Sequence, residues 1–579
     1  MVKILGINHD MFITSAALIN EGKIVSAIPE ERISREKLSR KFPEKAINEI
    51  LKENKMEIDS IDILANSYNP ANLMTKYNPI FSSSRRFRSD YLYSVPDNLF
   101  KLNKKINLKN SEYLMQEIKI NNKIKKIYFV NHHLSHAANA FFISPFKNSA
   151  ILTVDGRGEI DSCSFSFGVK NKINLIKKIY FPHSVGSFYS TFTEFLGYKA
   201  NSDEWKVMAL SSYSKNKKNK YYKLIKNLIQ INKSDGTFLL NTNYFKETIH
   251  EYGKLYSDEF VKLFGPPRNS FEKITQRHKE IAGAMQIVSE EIVLNMLNWL
   301  QKKTKQVNLC VSGGYFMNSV FNGKIKKLTK FKNVFISSCP DDSGLSIGSA
   351  LYVYNHILNK KKRYFQSNNY YGPSYNDGQV KKILDNYKLK FTYDKKNVCE
   401  KIARAISNGK IVGWFQGKME FGQRALGNRS ILGDPRILKN KDKINKIIKF
   451  RESFRPFAPA ILSEFKNKFF EIEENETVNF MEKVYLIKKN MRSKIPAVSH
   501  ADGTGRLQTV EKKSNIKFYK LIKEFYKITS IPVLINTSFN LNGEPIVCSP
   551  QDAIKTFNTS GLDLLVIENF IISKNNEKF

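Results

Sequence analysis

The sequence predicts an α/β protein of two domains, the first of them internally duplicated. Three observations carry that expectation. The chain has 579 residues, too many for one ordinary domain. Two segments, "KILGINHDMFITSAALINEGKIVSAIPEER" from Lys3 and "AILTVDGRGEIDSCSFSFGVKNKINLIKKIYFP" from Ala150, share one layout. A fresh α/β pattern begins after a Gly/Pro-containing polar stretch near residue 366.

Each of the two segments runs from an apolar strand through a polar turn into a second strand. A Gly- or Asn-containing turn and a third strand follow. That is a three-stranded antiparallel meander. Helical periodicity follows each, in "PEKAINEILKEN" and in "QRHKEIAGAMQIVSEEIVLNMLNWLQKK". Meander plus helix, used twice, is the layout of the actin-like ATPase (ASKHA) architecture, with lobes at about 1–145 and 146–365. Past the lysine run ending at Lys362, "RYFQSNNYYGPSYND" reads as a linker. "NVCEKIARAISNGK" then predicts a helix, "IVGWFQG" a buried strand and "NKDKINKIIKF" a helix. "IPVLINTS" predicts a strand, "SPQDAIKTFNTSG" a Ser-capped helix and "LDLLVIENFII" a strand. The second domain is placed at 366–579.

Hydrophobic residues make up 41% of the chain, enough for sizeable cores, and no run of eighteen apolar residues occurs. The start "MVKILGINHD" lacks a long apolar core behind basic residues, which argues against a signal peptide. Five dispersed cysteines without a CxxC read as reduced thiols in a cytoplasmic protein. The net charge of +39 spreads through lysine-rich runs such as "KNKKNKYYK" and builds no arm or recognition helix. It reads as compositional habit in preference to a nucleic-acid footprint, and it favours anionic small substrates.

Chemistry concentrates first in "NHHLSHA", Asn131 to Ala137, which holds three of the nine histidines. The segment follows the strand "KIYFV" and has helical character. His132 and His136 then share one face, a spacing at which two imidazoles bind one metal ion. His133 occupies the place where zinc proteases carry glutamate, which disfavours a protease. "ILTVDGRGE" ends a strand in Asp155 between apolar residues and glycines. "SSCPDDSGLSIGSA" sets Asp341 and Asp342 before a helix start, where a plain N-cap is the alternative. Two His and two Asp would make a hard, open N/O site for iron, manganese or zinc, with a helix start bearing partly exposed histidines as the alternative. In "VSGGYFMNS", Gly313 and Gly314 lie between a strand and a helix and could cradle phosphate, although a tight turn needs the same glycines.

In the second domain, Arg424 and Arg429 ("GQRALGNRS"), Lys449, Arg451 and Arg455 ("KFRESFRPF") and Arg506 ("GTGRLQ") sit among Gly, Pro, Phe and Ala. That setting, unlike a lysine-rich helix, suits phosphate neutralisation by bidentate Arg and point-charge Lys. Ser538 closes the strand "VLINTS", where a hydroxyl can face an oxyanion.

These motifs, with "DEWKVMAL", "DDSGLSIGSAL", "FGQRALGNRSILGDPR", "KFRESFRPFAPAIL", "HADGTGRLQTV" and "INTSFNLNGEPIV", run in order along nearly the whole chain. The sequence resembles the NodU/CmcH family of O-carbamoyltransferases, which act on nodulation factors and antibiotics. The resemblance implies an actin-like, metal-bearing transfer domain over 1–365. It implies a YrdC-like α/β domain forming carbamoyl-adenylate over 366–579. It assigns the metal ligands to His132, His136, Asp155 and Asp342, with iron or another transition metal bound. It places Lys37, Glu204, Lys206, Asn318, Arg424, Asn428, Arg429, Arg506 and Asn536 around substrates and ATP. An ion pair exposed on a strand is the competing reading of Glu204 and Lys206. Lys449, Arg455 and Ser538 take the catalytic roles of the second domain. His9 is the candidate general base of the first.

One departure stands out. The His-Asp pair usual in the first turn is replaced at its aligned places by Phe12 and Ile13, while His9 and Asp10 lie earlier. The implied reaction joins carbamoyl phosphate and Mg-ATP into carbamoyl-adenylate and pyrophosphate, then passes the carbamoyl group to a hydroxyl of a small acceptor. The rivals are a tRNA threonylcarbamoyl-modifying enzyme and an actin-like nucleotide-binding protein without transfer chemistry.

Overall fold

Short apolar strands separated by polar turns build three main sheets. The computed structural model describes residues 1–9, 12–70, 72, 112–214, 216–246 and 253–574. Asp10 therefore lies outside the described residues. The chain divides into two compact units: residues 1–27 with 40–366, and residues 28–39 with 367–579.

In the first unit two sheets repeat one layout. The first holds β1 (Lys3–Asn8), β2 (Ser15–Asn20), β3 (Lys23–Pro29), β4 (Ile63–Asn66), β5 (Tyr113–Ile120) and β6 (Lys123–Val130), in the order β3-β2-β1-β4-β6-β5. The second holds β7 (Asn148–Val154), β8 (Asp161–Val169) and β9 (Lys172–Tyr180). After a small hairpin of β10 (Ile229–Ile231) and β11 (Phe238–Leu240), it is completed by β12 (Asn308–Ser312) and β13 (Asn333–Ile336). Its order, β9-β8-β7-β12-β13, mirrors the first. β1 is antiparallel to β2 and parallel to β4, as β7 is antiparallel to β8 and parallel to β12. The two meanders read from the sequence are β1–β3 and β7–β9.

Three helices of this unit carry or place the residues with chemistry. His132–Phe141 starts directly after β6 and is buried along its whole length. Gln276–Thr304 is the long helix expected from its periodicity. Leu345–Leu351 packs against the histidine helix at Gly348, where a Cβ would sit 1.9 Å from the Ser135 carbonyl oxygen. Only glycine allows that approach, and it draws the Asp342 turn towards the histidines.

The second unit is built on eight strands: β14 (Thr392–Tyr393), β15 (Val412–Phe415), β16 (Arg429–Gly433), β17 (Ala458–Leu462), β20 (Gln508–Val510), β21 (Val533–Ser538), β22 (Leu564–Ile567) and β23 (Phe570–Ser573). A separate pair is formed by β18 (Val484–Leu486) and β19 (Thr504–Arg506). "LDLLVIENFII", expected as one strand, is two antiparallel strands folded about Glu568, whose φ is +50°. The predicted helices appear at Val398–Ser407 and at Pro550–Asn558, the latter capped by Ser549. "NKDKINKIIKF" forms the helix Leu438–Lys443 and then widens into a π-turn at Ile444–Ile448.

Residues 28–39 join this unit through two arginines. Arg32 is 1% exposed and donates to the Gly422 carbonyl. Arg35 donates to the Pro545 and Ile546 carbonyls at 2.9 and 2.7 Å and meets Asp552 at 3.3 Å. Sequence periodicity is local and carries no sign of such a long-range exchange.

Candidate functional site

The histidine helix begins where β6 ends, and its first turn is heavily tied. Asn131 caps it, its Oδ1 accepting from the Leu134 N–H at 3.1 Å. His132 and His136 direct Nε2 to Asp155 Oδ2, at 3.1 and 2.9 Å, and lie 3.8 and 3.5 Å from Asp342 Oδ1. One ligand atom from each of the four residues falls within 4.8 Å of every other. The intervening His133 turns the opposite way: Nδ1 meets Thr153 Oγ1 at 2.7 Å and Nε2 meets the Asp161 carbonyl at 3.0 Å. It is a structural histidine, and burial followed by its two neighbours pulls its pKa well down.

Asp155 sits just past β7. Its Oδ1 accepts from the Gly156 and Gly314 N–H groups at 2.8 and 3.2 Å, which leaves Oδ2 aimed at the histidines. Burial alone would raise its pKa, but the hydrogen bonds from His132 and His136 drive it well down. Burial would lower His136, yet the two carboxylates carry it up to about 9. Asp342 is raised, by burial and then by the Asp155 charge. Two carboxylates gathered in a buried site are a strong cation trap, and the donor set of two imidazoles and two carboxylates fits a transition-metal ion. His136 Nδ1 lies 3.2 Å from Ser312 Oγ, a contact that orients the ring with Nε2 inward.

Several expected residues have other duties. The Gly313 N–H donates to the Pro340 carbonyl at 2.7 Å and the Gly314 N–H to Asp155, so both amides are already engaged. The segment after them is a 3₁₀ turn, Gly314–Met317, and no long helix starts there. Gly313 is obligatory for a different reason: its φ is +102° and a Cβ would lie 2.2 Å from the Val154 carbonyl oxygen. Asn318 caps Ser319–Asn322 and pairs with Gln286. Glu204 and Lys206 open the helix Glu204–Ser211, which removes the strand reading. Glu204 accepts from Ser190 Oγ at 2.8 Å, while Lys206 pairs with Asp203 at 3.1 Å.

His9 packs edge-on to the Phe42 ring at 5.4 Å. Phe12 presents its N–H to Asp342 Oδ2 at 3.4 Å. The place where a His-Asp pair was expected thus reaches the quartet through its backbone. Glu159 was not singled out in the sequence, although it ends the quoted "VDGRGE". Fully buried, it binds the start of the histidine helix.

In the second unit the centre is Lys449, 3% exposed. Its ammonium donates to the Ser538 carbonyl, to Ser538 Oγ at 3.1 Å and to Asn540 Oδ1 at 2.7 Å. Burial, then Arg451, Arg455 and Lys37, pull its pKa well down. Arg506 is lowered in the same way by burial and by Arg424, Arg451 and Arg455. Six cations thus bear on one another. Among the described residues Glu452 meets Arg455 at 3.4 Å, and the Glu544 charge bears on Lys449. Such a cluster is built to take up anionic oxygen atoms. Asn540 was missed in the sequence; its place two residues after Ser538 is the signal that could have found it.

Arg429, Asn428 and Asn536 do not join that cluster by their polar atoms. The Arg429 guanidinium donates to the Gln416, Gly417, Asn428 and Pro373 carbonyls and lies 3.5 Å over the Phe415 ring. Asn428 bonds Gln416, Asn515 and the Lys418 carbonyl. Asn536 donates to Gln508 at 2.8 Å.

Two family models cover most of the chain: Carbamoyltransferase N-terminus over residues 3–351 and Carbamoyltransferase C-terminus over residues 403–574. The chain belongs to the carbamoyltransferase family. Among its relatives is the nodulation protein NolNO of Sinorhizobium fredii, 34% identical over 97% of this chain and 78% of that one. Another is the 3'-hydroxymethylcephem-O-carbamoyltransferase of Streptomyces clavuligerus, 30% identical over 43% of this chain and 45% of that one. Among solved structures, HypF of T. kodakarensis overlays at a TM-score of 0.34 and 10% identity, covering 62% of this chain and 48% of that one. A score that low does not establish a common fold. No helix among the described residues of the carbamoyltransferase is long and apolar enough to cross a membrane. All five of its cysteines are buried and none forms a disulfide.

Proposed function

We propose that this carbamoyltransferase is an ATP-dependent O-carbamoyltransferase working in two steps at two sites. The observation that carries the reading is the buried Lys449 ammonium, on which the charges of Arg451, Arg455 and Lys37 bear. Three further supports are the match to both carbamoyltransferase models, the N/O quartet of the first unit and the repeated actin-like sheet order.

In the second unit, read as YrdC-like, carbamoyl phosphate takes up water and yields carbamate and phosphate. A carbamate oxygen then attacks the α-phosphorus of Mg-ATP, and pyrophosphate leaves. Lys449 sits between the Ser538 hydroxyl and Asn540, where its charge meets the phosphoryl oxygens. Arg424, Arg451, Arg455 and Arg506 share the remaining negative charge, and Lys37 adds to it.

In the first unit the carbamoyl carbon is attacked by an acceptor hydroxyl. The bond to the AMP oxygen breaks, and the acceptor proton passes to a base, for which His9 is the candidate. His132, His136, Asp155 and Asp342 would hold the metal. When bound, a transition-metal ion supplies Lewis acidity towards the carbamoyl carbonyl. Asp155, fixed by two backbone N–H groups, keeps the quartet in register. The mixed anhydride is already activated, so orientation is the chief task of the protein here. The acceptor is a hydroxyl-bearing small molecule.

Purified protein with ATP and carbamoyl phosphate tests the reading. Pyrophosphate release that needs both and no tRNA supports it. Release that depends on tRNA replaces it with the tRNA-modifying rival.

A further inference from the structure

We propose that Glu159 is a positioning residue for the metal quartet, a carboxylate clamp that sets the histidine helix in the orientation the ion requires. The proposal rests on the reading of His132, His136, Asp155 and Asp342 as metal ligands.

Glu159 lies in the loop between β7 and β8, four residues after Asp155, and is 0% exposed. Its Oε1 accepts from the Asn69 N–H at 2.7 Å and from the His132 N–H at 3.0 Å. Its Oε2 accepts from Asn131 Nδ2 at 2.8 Å. One carboxylate thus joins the loop after β4, the first turn of the histidine helix and the loop that carries Asp155. Among the described residues no lysine or arginine is ion-paired with it. A buried carboxylate held by neutral donors is costly unless its geometry is needed. Here the geometry is specific, because one of the donors is the main chain of a ligand residue.

The polarity of the clamp is fixed. Asn131 Oδ1 is committed to the Leu134 N–H as the helix cap, so its Nδ2 must face Glu159. A carboxylate accepts on both oxygens. Glutamine cannot. Its amide would set a donor against Asn131 Nδ2 or against the two backbone N–H groups. Rotating Asn131 to relieve this would remove the cap. Either outcome shifts His132 relative to Asp155, since the same backbone carries the ring.

A swap restores the pattern. With Glu159→Gln and Asn131→Asp together, one oxygen of the introduced aspartate still caps Leu134. The other accepts from the glutamine, and the net charge is unchanged. A residue that merely fills space would not be rescued in this way.

The experiment titrates cobalt(II) into the metal-free full chain and reads its ligand-field absorption, with circular dichroism and thermal unfolding as fold controls. The wild type binds one equivalent. E159Q binds roughly tenfold or more weakly with an altered spectrum, and the double variant recovers the wild-type spectrum and affinity. Equal affinity of E159Q and wild type overturns the proposal. So does a loss that the double variant, folded as judged by dichroism, fails to recover. Should E159Q not fold, the double variant decides alone: wild-type binding supports the clamp and weakened binding overturns it. Absence of cobalt binding by the wild type would instead remove the metal reading, and this proposal with it.

Discussion

Lys449→Met separates what the cationic cluster does for stability from what it does for chemistry. The ammonium makes three hydrogen bonds, yet each acceptor keeps another partner when it leaves. The Ser538 carbonyl still accepts from the Asn540 N–H at 3.1 Å, and Ser538 Oγ still donates to Asn540 Oδ1 at 2.7 Å. No acceptor is orphaned, so the usual penalty of about 1–3 kcal/mol for each unsatisfied buried group does not apply. Against the lost bonds stands relief from burying a charge beside Arg451, Arg455 and Lys37. The net change in unfolding free energy in urea is expected to stay within about 2 kcal/mol.

The pH dependence has a definite sign. The folded-state pKa of Lys449 is depressed, so between that value and about 10.4 the unfolded chain holds a proton the native chain has shed. Stability therefore rises with pH across that window, and the Met variant lacks that rise. Activity should behave oppositely to stability: pyrophosphate release from ATP and carbamoyl phosphate falls by about 10²–10³, the usual cost of one preorganised charge donor. A loss of stability beyond about 3 kcal/mol, or release within tenfold of wild type, would refute the reasoning.

Two further outcomes are expected. In metal-free protein His136 is raised from 6.5 to about 9. Its stabilising contribution is therefore complete below 6.5 and is lost as pH rises through about 9. Because that proton must leave for the ion to bind, cobalt affinity should climb about tenfold per pH unit up to that point and then level, as read by titration at several pH values. Arg429→Lys keeps the charge but loses the fork that serves four carbonyls, and should cost roughly 3 kcal/mol in urea unfolding. A cost below about 1 kcal/mol would show that Arg429 is not a structural pin.

Local pattern explains what could be read from the sequence. The alternation that marks a strand and the 3.6-residue repeat that marks a helix are both short-range, so the two meanders and Gln276–Thr304 were legible. His132 and His136 share a helical face by spacing alone. What brings Asp342 to them is the close approach of two helices at Gly348, and what brings Asp155 is the end of β7 with the Gly156 and Gly314 N–H groups; both are tertiary facts. The same limit hid the attachment of residues 28–39 to the second unit. It also hid the internal commitments of polar groups. Arg429 and Asn428 look like ligand-facing residues in "GQRALGNRS", but the hydrogen bonds they make run to backbone carbonyls and buried amides. The Gly313 and Gly314 amides are likewise taken by Pro340 and Asp155. Glu159 escaped notice because a glutamate in a Gly-rich turn gives no periodic signal.

The separation of the two sites is tested most directly by comparing His136→Ala with Arg455→Ala. Each is assayed for pyrophosphate release and, by mass spectrometry, for carbamoylation of a hydroxyl-bearing acceptor. The two-site account predicts that Arg455→Ala loses both, because the phosphates are no longer neutralised. It predicts that His136→Ala keeps pyrophosphate release within a few fold of wild type and loses transfer. If His136→Ala, folded by circular dichroism, abolishes pyrophosphate release as completely as Arg455→Ala does, the two steps share one site and the account is wrong.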